Sequence, residues 1–422
     1  MSKKLRDICF YGKEKVETSN IDLNNYVSTE NMLPNKSGIV PSEKLPNLAL
    51  TPAFFKGDIL VSNIRPYFKK IWYASSNGGC SNDVLVFRAK ENIDSSYLYY
   101  LLADDNFFTY AMASAKGTKM PRGDKSAIME YVIPEHGILI QQKIAKILSS
   151  IDRKIYFNNK INNNLEQQAQ AIFKSWFVDK ENKNRKTCKA EEYFDISIGK
   201  TPPRKEPQWF THQNSDTKWV SIADMGNCGV YICDTSEYLL PEAISKFNVC
   251  LVPKDTVILS FKLTVGRIAI TNEMMTTNEA IAHFKTNNKT INEYLYLYLK
   301  NFNFKTMGST SSIATAVNSK IIKAMPFIIP TNEELSIFHK ITNPIFKQIK
   351  ANQLESKNLT QLRDALLPKL MSGEIDVENI DISTDKLSFS IMIIEYFYIK
   401  IVIIIGVVNY KNNTFKWSNN PV

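Results

Sequence analysis

Apolar residues recur at steps of three and four over two widely separated stretches of the chain. In the first, Ile144, Leu148, Ile151, Ile155, Asn158, Asn162, Leu165, Ala169, Ile172 and Trp176 share one helical face. In the second, Ile341, Ile345, Ile349, Asn352, Ser356, Leu359, Leu362, Leu366 and Leu370 do nearly the same. This is the spacing of a coiled-coil seam. It predicts two long helices of roughly 42–57 Å at ~1.5 Å per residue. Both seams are apolar at the ends and polar in the middle. Antiparallel pairing would bring Asn158 and Asn162 near Asn352 and Ser356, a buried layer that penalises every other register. The polar positions read equally well as exposed interruptions. Asn343 and Pro344 suit an N-cap and a first helical turn, so a bend or restart is expected there.

The passage "NNNLEQQAQAIFKSWFVD" (Asn162–Asp179) returns as "SKNLTQLRDALLPKLMSG" (Ser356–Gly373), and the likeness extends outward in matching order. "GDILVSNIRPYFKKIWYA" (Gly57–Ala74) corresponds to "KDTVILSFKLTVGRIAIT" (Lys254–Thr271), and "CSNDVLVFR" (Cys80–Arg88) to "TTNEAIAHFK" (Thr276–Lys285). "YLYYLL" at Tyr97 corresponds to "YLYLYL" at Tyr294, and "YVIP" at Tyr131 to "FIIP" at Phe327. The chain therefore repeats as globular unit, long helix, globular unit, long helix. Each globular unit alternates short β-branched strands with Gly, Pro and Asn turns and carries one aromatic-rich helix, which reads as α+β. The Tyr stripes read as helix-packing residues in preference to base-stacking platforms.

A length of 422 residues exceeds one core and implies two or three domains. The formal charge of +10 and a sequence pI of about 9.0 suit a polyanionic partner as well as a merely basic protein. The 6 cysteines are scattered, and none of the 4 histidines clusters with them. That spacing argues against a zinc site or a disulfide framework and fits a reducing compartment. "MSKKLRDICFYGKE" has no apolar core of a signal peptide.

Catalytic motifs are missing. No G-x-x-x-x-G-K-[ST] loop occurs, no nuclease-like acid-x-Lys triplet follows a Pro-Asp pair, and no Gly-rich methyl-donor loop follows a strand. "NPIF" (Asn343–Phe346) lacks the second Pro of an amino-methyltransferase loop and lies in the helical pattern. A binder is the better reading. The strongest loop signal is "KGTKMPRGDKSA" (Lys116–Ala127). Its glycines permit close backbone approach, and Lys116, Lys119, Arg122 and Lys125 could hold phosphates or reach base edges; a solvated basic turn is the alternative. Further DNA-binding candidates are Arg65, Lys69 and Lys70 in the first unit, and Lys200, Arg204, Lys205, Lys262 and Arg267 in the second. The place equivalent to the basic loop, "MGSTSSIATAVNSK" (Met307–Lys320), offers hydroxyls instead. Excess charge in the first helix and in "KENKNRKTCK" (Lys180–Lys189) suggests a positive segment passing over a DNA backbone.

"STENMLPNKSGI", "GDILVSNIRPYFKKIW", "GGCSNDVLVFR", "GTKMPRGDK" and "LEQQAQAIFKSWFVD" resemble the first half of a Type I restriction–modification specificity subunit. "GKTPPR", "KWVSIADM" and "LRDALLPKLMSGEI" resemble its second half, so the likeness spans about Leu5 to Ile382. The resemblance implies target recognition domains at 1–135 and 191–331. It also implies conserved helical regions at 136–190, with a basic linker, and at 332–382. The two recognition domains would each read one part of a bipartite asymmetric site in double-stranded DNA. The helices would form an antiparallel spacer, on which two methyltransferase (modification) subunits dock and restriction/translocase subunits join. Such a chain is not catalytic by itself and holds no cofactor; S-adenosylmethionine, ATP and Mg belong to the partners. A cytoplasmic location follows, with no membrane expected. The alternative is a stand-alone DNA-binding regulator built on a duplicated domain. The helix-pair or partner interface would comprise Ile144, Leu148, Ile151, Ile155, Asn158, Leu165, Ile172, Trp176, Ile345, Ile349, Asn352, Leu359, Leu362 and Leu366. Residues 383–422 depart from the family. The apolar run Leu387–Val408 is long enough to span a bilayer, but Glu395 and Lys400 oppose this. Translated read-through is the favoured reading, ahead of a docked element or an anchor.

Overall fold

The β-branched runs Ile59–Ser62 and Val257–Ser260 become inner strands of two sheets, with every residue buried. They belong to a computed structural model that describes residues 3–179, 185–213, 216–262, 264–307 and 318–380. The tail after residue 380, residues 180–184 of the basic linker and residues 308–317 of the hydroxyl-rich loop lie outside the described residues. The chain divides into two compact units, Met1–Arg153 with Leu359–Val422, and Lys154–Asn358. Each is an α+β unit that includes part of both long helices.

In the first unit, Cys9–Tyr11, Val84–Ala89, Ile59–Ser62 and Ile71–Tyr73 form an antiparallel sheet in that order. A second sheet orders Lys15–Glu17, Leu50–Phe54, Gly78–Cys80 and Tyr26–Val27, the last pair parallel. In the second unit the main sheet runs Asp195–Ile198, Ile281–Lys285, Val257–Ser260, Ile268–Thr271 and Tyr231–Ile232. Its second sheet again contains a parallel pair, Thr217–Val220 with Thr276–Thr277. The repeat extends to register. Ile59 faces Phe87 and Ser62 faces Val84, as Val257 faces Phe284 and Ser260 faces Ile281. A one-residue slip would turn each buried face outward.

The Tyr stripes pack helices against these sheets. In the helix Ser95–Ala103, whose N-terminus Asp94 caps, Tyr97 and Tyr100 are buried. In the helix Asn292–Asn301, Tyr294 and Tyr296 are buried. Two of their hydroxyls reach the long helices. Tyr100 donates to Asp152 at 2.7 Å, and Asp152 also accepts from Arg363 at 2.8 Å. In the second unit, Tyr296 donates to Glu166 at 2.8 Å.

The first long helix covers Ile138–Phe173 and closes in a wide turn at Lys174–Val178. The second covers Asn332–Ser372. Their pairing is antiparallel in each unit. In the first unit, Asp152 meets Arg363 and the His136 ring meets the Met371 carbonyl at 2.9 Å. In the second, Asn352 Nδ2 donates to Asn162 Oδ1 at 2.8 Å, Asn162 Nδ2 to the Ile349 carbonyl at 3.2 Å, and Asn158 Nδ2 to Glu355 at 2.7 Å. Asn158 is 1% exposed, and Asn162, Asn352 and Ser356 are also buried. The polar centre is thus an internal layer. Along the seam, Ile144, Leu148, Ile151, Ile349, Leu359 and Leu366 are buried. Ile155, Leu165, Ile172, Trp176, Ile345 and Leu362 are half-buried.

The start of the second seam differs from expectation. Ile341 is 41% exposed, while Phe338, Thr342 and Phe346 point inward. Steps of four carry these three along one face, and the two rings join a cluster with Phe173 and Tyr296. Large aromatic area outweighs an isoleucine here. The helix also continues through Pro344 without a restart. Proline removes one backbone bond, but the helix is held on both sides by buried Phe338 and Phe346 and by Asn343, which donates to Glu293 at 3.2 Å.

The layer yields a stability prediction. Replacing Asn352 alone by Leu removes the donor to the buried Asn162 Oδ1 and should destabilise the chain by about 1–3 kcal/mol. Replacing Asn162 and Asn352 together should recover most of that loss. Urea unfolding of the two single variants and the double variant tests the coupling; a double loss equal to the sum of the two single losses would show that the two amides act independently.

Candidate nucleic-acid interface

Three loops of the first unit meet at one end. The hairpin between Ser62 and Ile71 folds through a short turn, Pro66–Phe68, with left-handed residues on both sides, Arg65 (φ 50) and Lys69 (φ 51). A neighbouring loop contributes two more, Asn35 (φ 55) and Lys36 (φ 61). Left-handed geometry in non-glycine residues is sustained only by surrounding bonds, and these are present. Asn35 N–H donates to the Phe68 carbonyl at 2.8 Å, Lys36 N–H to the Lys69 carbonyl at 2.9 Å, and Arg65 N–H to the Pro121 carbonyl at 2.8 Å. The third loop closes on itself by reciprocal bonds between Lys116 and Arg122 and donates from Gly123 N–H to the Asn63 carbonyl. A Cβ on Gly123 would come within 2.8 Å of Ile128 Cδ1 and 3.0 Å of Asn63 Oδ1.

The sequence candidates Arg65, Lys69, Lys70, Lys116, Lys119 and Arg122 therefore fall in interlinked loops, and Lys125 opens the short helix Lys125–Ile128 that follows the third. Lys116, Lys119, Arg122 and Lys125 are exposed. Three candidates have carboxylate partners: Lys69 with Asp105 at 2.8 Å, Arg122 with Asp83 at 3.1 Å, and Lys116 with Asp124 at 2.7 Å. Cations outnumber these carboxylates. Sequence reasoning passed over Tyr67 and Phe68, which stand exposed on the tip of the hairpin, and Lys36, which shares Asp105 at 2.7 Å. Their signal was an aromatic pair set between Pro and two Lys in "RPYFKK".

In the second unit the candidates lie in two loops that leave the same end of the main sheet. Gly199 N–H bonds the Ile281 carbonyl, and Phe261 N–H bonds the neighbouring Ala280 carbonyl. Lys200, Arg204 and Lys205 follow Gly199 and are exposed, as is Lys262. The Arg204 guanidinium lies 3.9 Å from the Phe210 ring centre and 4.5 Å from that of Trp219, and is gripped by both oxygens of Glu237.

Lys70 and Arg267 occupy equivalent places and turn toward protein acceptors. The main chain carries the equivalence: Ser62 N–H bonds the Lys70 carbonyl, and Ser260 N–H bonds the Arg267 carbonyl. Lys70 Nζ donates to the Thr29 carbonyl and Arg267 Nη1 to the Ile222 carbonyl, both at 2.6 Å. Thr29 and Ile222 each follow a serine held by a side chain three residues on. Ser28 N–H donates to Asn31, and Ser221 N–H to Asp224. Burial holds the Lys70 ammonium below the usual lysine range. In the linker, Arg185 does not face outward either. It bonds Glu334 and the Trp176 carbonyl, joining the end of the first long helix to the start of the second.

The buried titratable groups are built into the fold. His283 lies inside the second unit's main sheet between Ser197 Oγ at 3.0 Å and Thr277 Oγ1 at 2.7 Å. Desolvation, helped by nearby Lys285, pushes it down to about 3. Burial pushes the Cys9, Cys80 and Cys228 thiols up to about 12, far from a reactive thiolate. Glu293, bonded to His339 and Asn343, is raised mainly by burial. Among the described residues, no group of three or more His, Cys, Asp and Glu is placed to hold a metal ion. No helix among them is long and apolar enough to cross a membrane.

A family model described as the Type I restriction modification DNA specificity domain matches residues 1–167 and 182–363. The chain is similar to the Type I restriction enzyme HindI specificity subunit of Haemophilus influenzae, at 26% identity over 83% of this chain and 94% of that protein. It is also similar to the MjaIX specificity subunit of Methanocaldococcus jannaschii, at 27% identity over 78% and 79%. Among solved structures, the Type-I restriction-modification system S subunit from M. genitalium shares the fold. It aligns with a TM-score of 0.51 at 17% identity, over 88% of this chain and 96% of that one.

His283 should make the second unit sensitive to acid. Its folded value lies below the ordinary ~6.5 of an unfolded histidine, so the unfolded state takes up the proton first. Its contribution is fully present above about pH 6.5 and is lost progressively as pH falls toward about 3. Stability should decline by up to about 1.4 kcal/mol per pH unit in that window. His283→Gln should flatten this slope in melting curves recorded between pH 7.5 and 4.5; an unchanged slope would assign the acid sensitivity to other groups.

Proposed function

The chain belongs to the Type I restriction–modification DNA specificity family, and on that premise we propose that it reads a bipartite, asymmetric site in double-stranded DNA and scaffolds two methyltransferase subunits. Specificity subunits are the DNA-recognition components of Type I systems. In this reading, residues 1–135 and 191–331 are separate target recognition domains. Restriction subunits join the same assembly, and S-adenosylmethionine, ATP and Mg are bound by the partners. The whole acts in the cytoplasm, where its DNA is.

The observation that best supports two readers is the repeated strand register, Ile59 on Phe87 and Val257 on Phe284, combined with unlike loops at the ends of the two sheets. A common frame with divergent loops is what separate half-site readers require. Charge suits the partner: exposed Lys and Arg in those loops supply the sequence-independent hold on phosphates. The helix pair, with its internal polar layer, supplies a surface of fixed register for the methyltransferases.

Exchanging residues from Met1 to Pro134 for those of another family member should change one half of the methylated site and leave the other intact. Methylome sequencing of the host carrying the chimera reads this directly; simultaneous change of both halves would refute separate readers. The purified chain alone should neither methylate nor cut DNA. Methyl transfer from S-adenosylmethionine by the single chain would overturn the scaffold assignment.

A further inference from the structure

The hairpin tip Arg65–Lys69 in the first unit combines features that ordinary surface turns lack. Its two flanking residues are left-handed without being glycine, Arg65 at φ 50 and Lys69 at φ 51. It is bonded through the main chain to two other loops, at Asn35 and Lys36 on one side and at Pro121 on the other. Lys70 pins its base to the Thr29 carbonyl. This rigid mount holds out Tyr67, 49% exposed, and Phe68, 38% exposed, with ring centres 4.7 Å apart, and exposed Met120 belongs to the loop bonded to it. Part of both rings is left in water on a tip whose backbone is strained, a combination that points to what the exposed ring faces touch.

We propose that Tyr67 and Phe68 are specificity-determining residues that make apolar and stacking contacts with DNA bases, within the half-site read by the first unit. This rests on the DNA-reading assignment above. Charge selects the occupant. Lys69 belongs to the tip, and exposed Lys119 and Arg122 belong to the loop bonded to it; Lys69 and Arg122 are shared with Asp105 and Asp83, and a cationic edge of this kind suits a polyanion better than the charge-depleted core of a protein interface. Phosphates would take the cations, and the rings would meet the groove floor, where thymine methyl groups and partly unstacked base steps accept aromatic side chains. The equivalent hairpin of the second unit, between Ser260 and Arg267, has Phe261 as its sole aromatic in sequence, and that ring is buried, so the exposed aromatic pair belongs to the first unit.

The test uses the full chain assembled with its methyltransferase partners, and duplexes carrying the site found in the host methylome. In the Tyr67→Ala, Phe68→Ala double variant, the ratio of target to non-target affinity should fall on the order of tenfold per ring, the size of one mismatched base pair. The loss should fall on base pairs of one half-site. The slope of log affinity against log salt should stay at the parent value, because rings release no counterions, whereas Lys119→Gln should reduce it. Tyr67→Phe with Phe68→Tyr keeps both rings and should restore discrimination; failure to do so overturns the proposal even if the alanine variant folds poorly. An unchanged affinity ratio in a folded alanine variant overturns it too, as does lost assembly with the methyltransferase at normal DNA discrimination. A parent complex that prefers no sequence would refute the DNA-reading assignment itself, a result distinct from a variant losing a preference that its parent has.

Discussion

The hydrogen bond between Asn352 and Asn162 is the constraint on which the helix pairing rests. A purely apolar seam tolerates sliding by a heptad, because one layer of Ile and Leu replaces another at little cost. A buried amide does not. Moved from its partner, each Asn would lose its hydrogen bond inside the protein, a penalty of about 1–3 kcal/mol. With Asn158 on Glu355 and Asn162 also on the Ile349 carbonyl, one register alone satisfies the layer. That register then orders the second unit. Glu166, a turn from Asn162, accepts from Tyr296, and Gln353, beside Asn352, exchanges two bonds with the Tyr231 backbone. In the first unit the same work falls to Asp152, which gathers Tyr100 and Arg363.

Duplication shows most clearly in details no pattern of apolar residues would specify. A cation on the main-sheet hairpin reaches the carbonyl after the parallel strand pair in both repeats, by lysine in one and arginine in the other. The choice of cation is free because a carbonyl needs only one donor. Packing then adapts: Gly226 leaves room that Arg267 fills, since a Cβ there would stand 2.5 Å from the guanidinium. Beyond these shared locks the loops diverge in charge, aromatic content and backbone conformation. Stability is thus carried by what the repeats share, and on the proposed reading selectivity by what they do not.

The strands and the two long helices were legible because burial imposes a period, and a period survives in one dimension. So was the likeness of the halves, since matched landmarks retain their order. The polar layer was legible only as an option, because burial of Asn158 and Asn352 depends on which face each helix presents. Ile341 misled for a related reason: it fits the three-four spacing, but Phe338 and Phe346 contribute more area on an adjacent face. Pro344 signalled a break that surrounding aromatic packing overrides. Among cations, charge was readable and destination was not. Arg185, Lys70 and Arg267 look like Lys119 and Lys125 in sequence. What separates them is the presence of a carbonyl or carboxylate at the end of each side chain, which only the folded chain supplies.

Strain completes the argument about the first unit's loops. Each left-handed non-glycine residue costs about 1–3 kcal/mol, and Asn35, Lys36, Arg65 and Lys69 are gathered in two touching loops. A set of flexible glycines would give the same path more cheaply in the folded state. It would also give many other paths, and ordering them on a ligand would weaken binding. Side chains at these positions narrow the ensemble, while cross-loop bonds from Asn35, Lys36 and Arg65 hold the remaining conformation. The cost is met once, at folding, by the sheet and helices beneath. On the proposed reading, a surface that distinguishes one base from another by a few ångströms gains from being rigid before the encounter, and these loops gather four left-handed non-glycine residues held by cross-loop bonds.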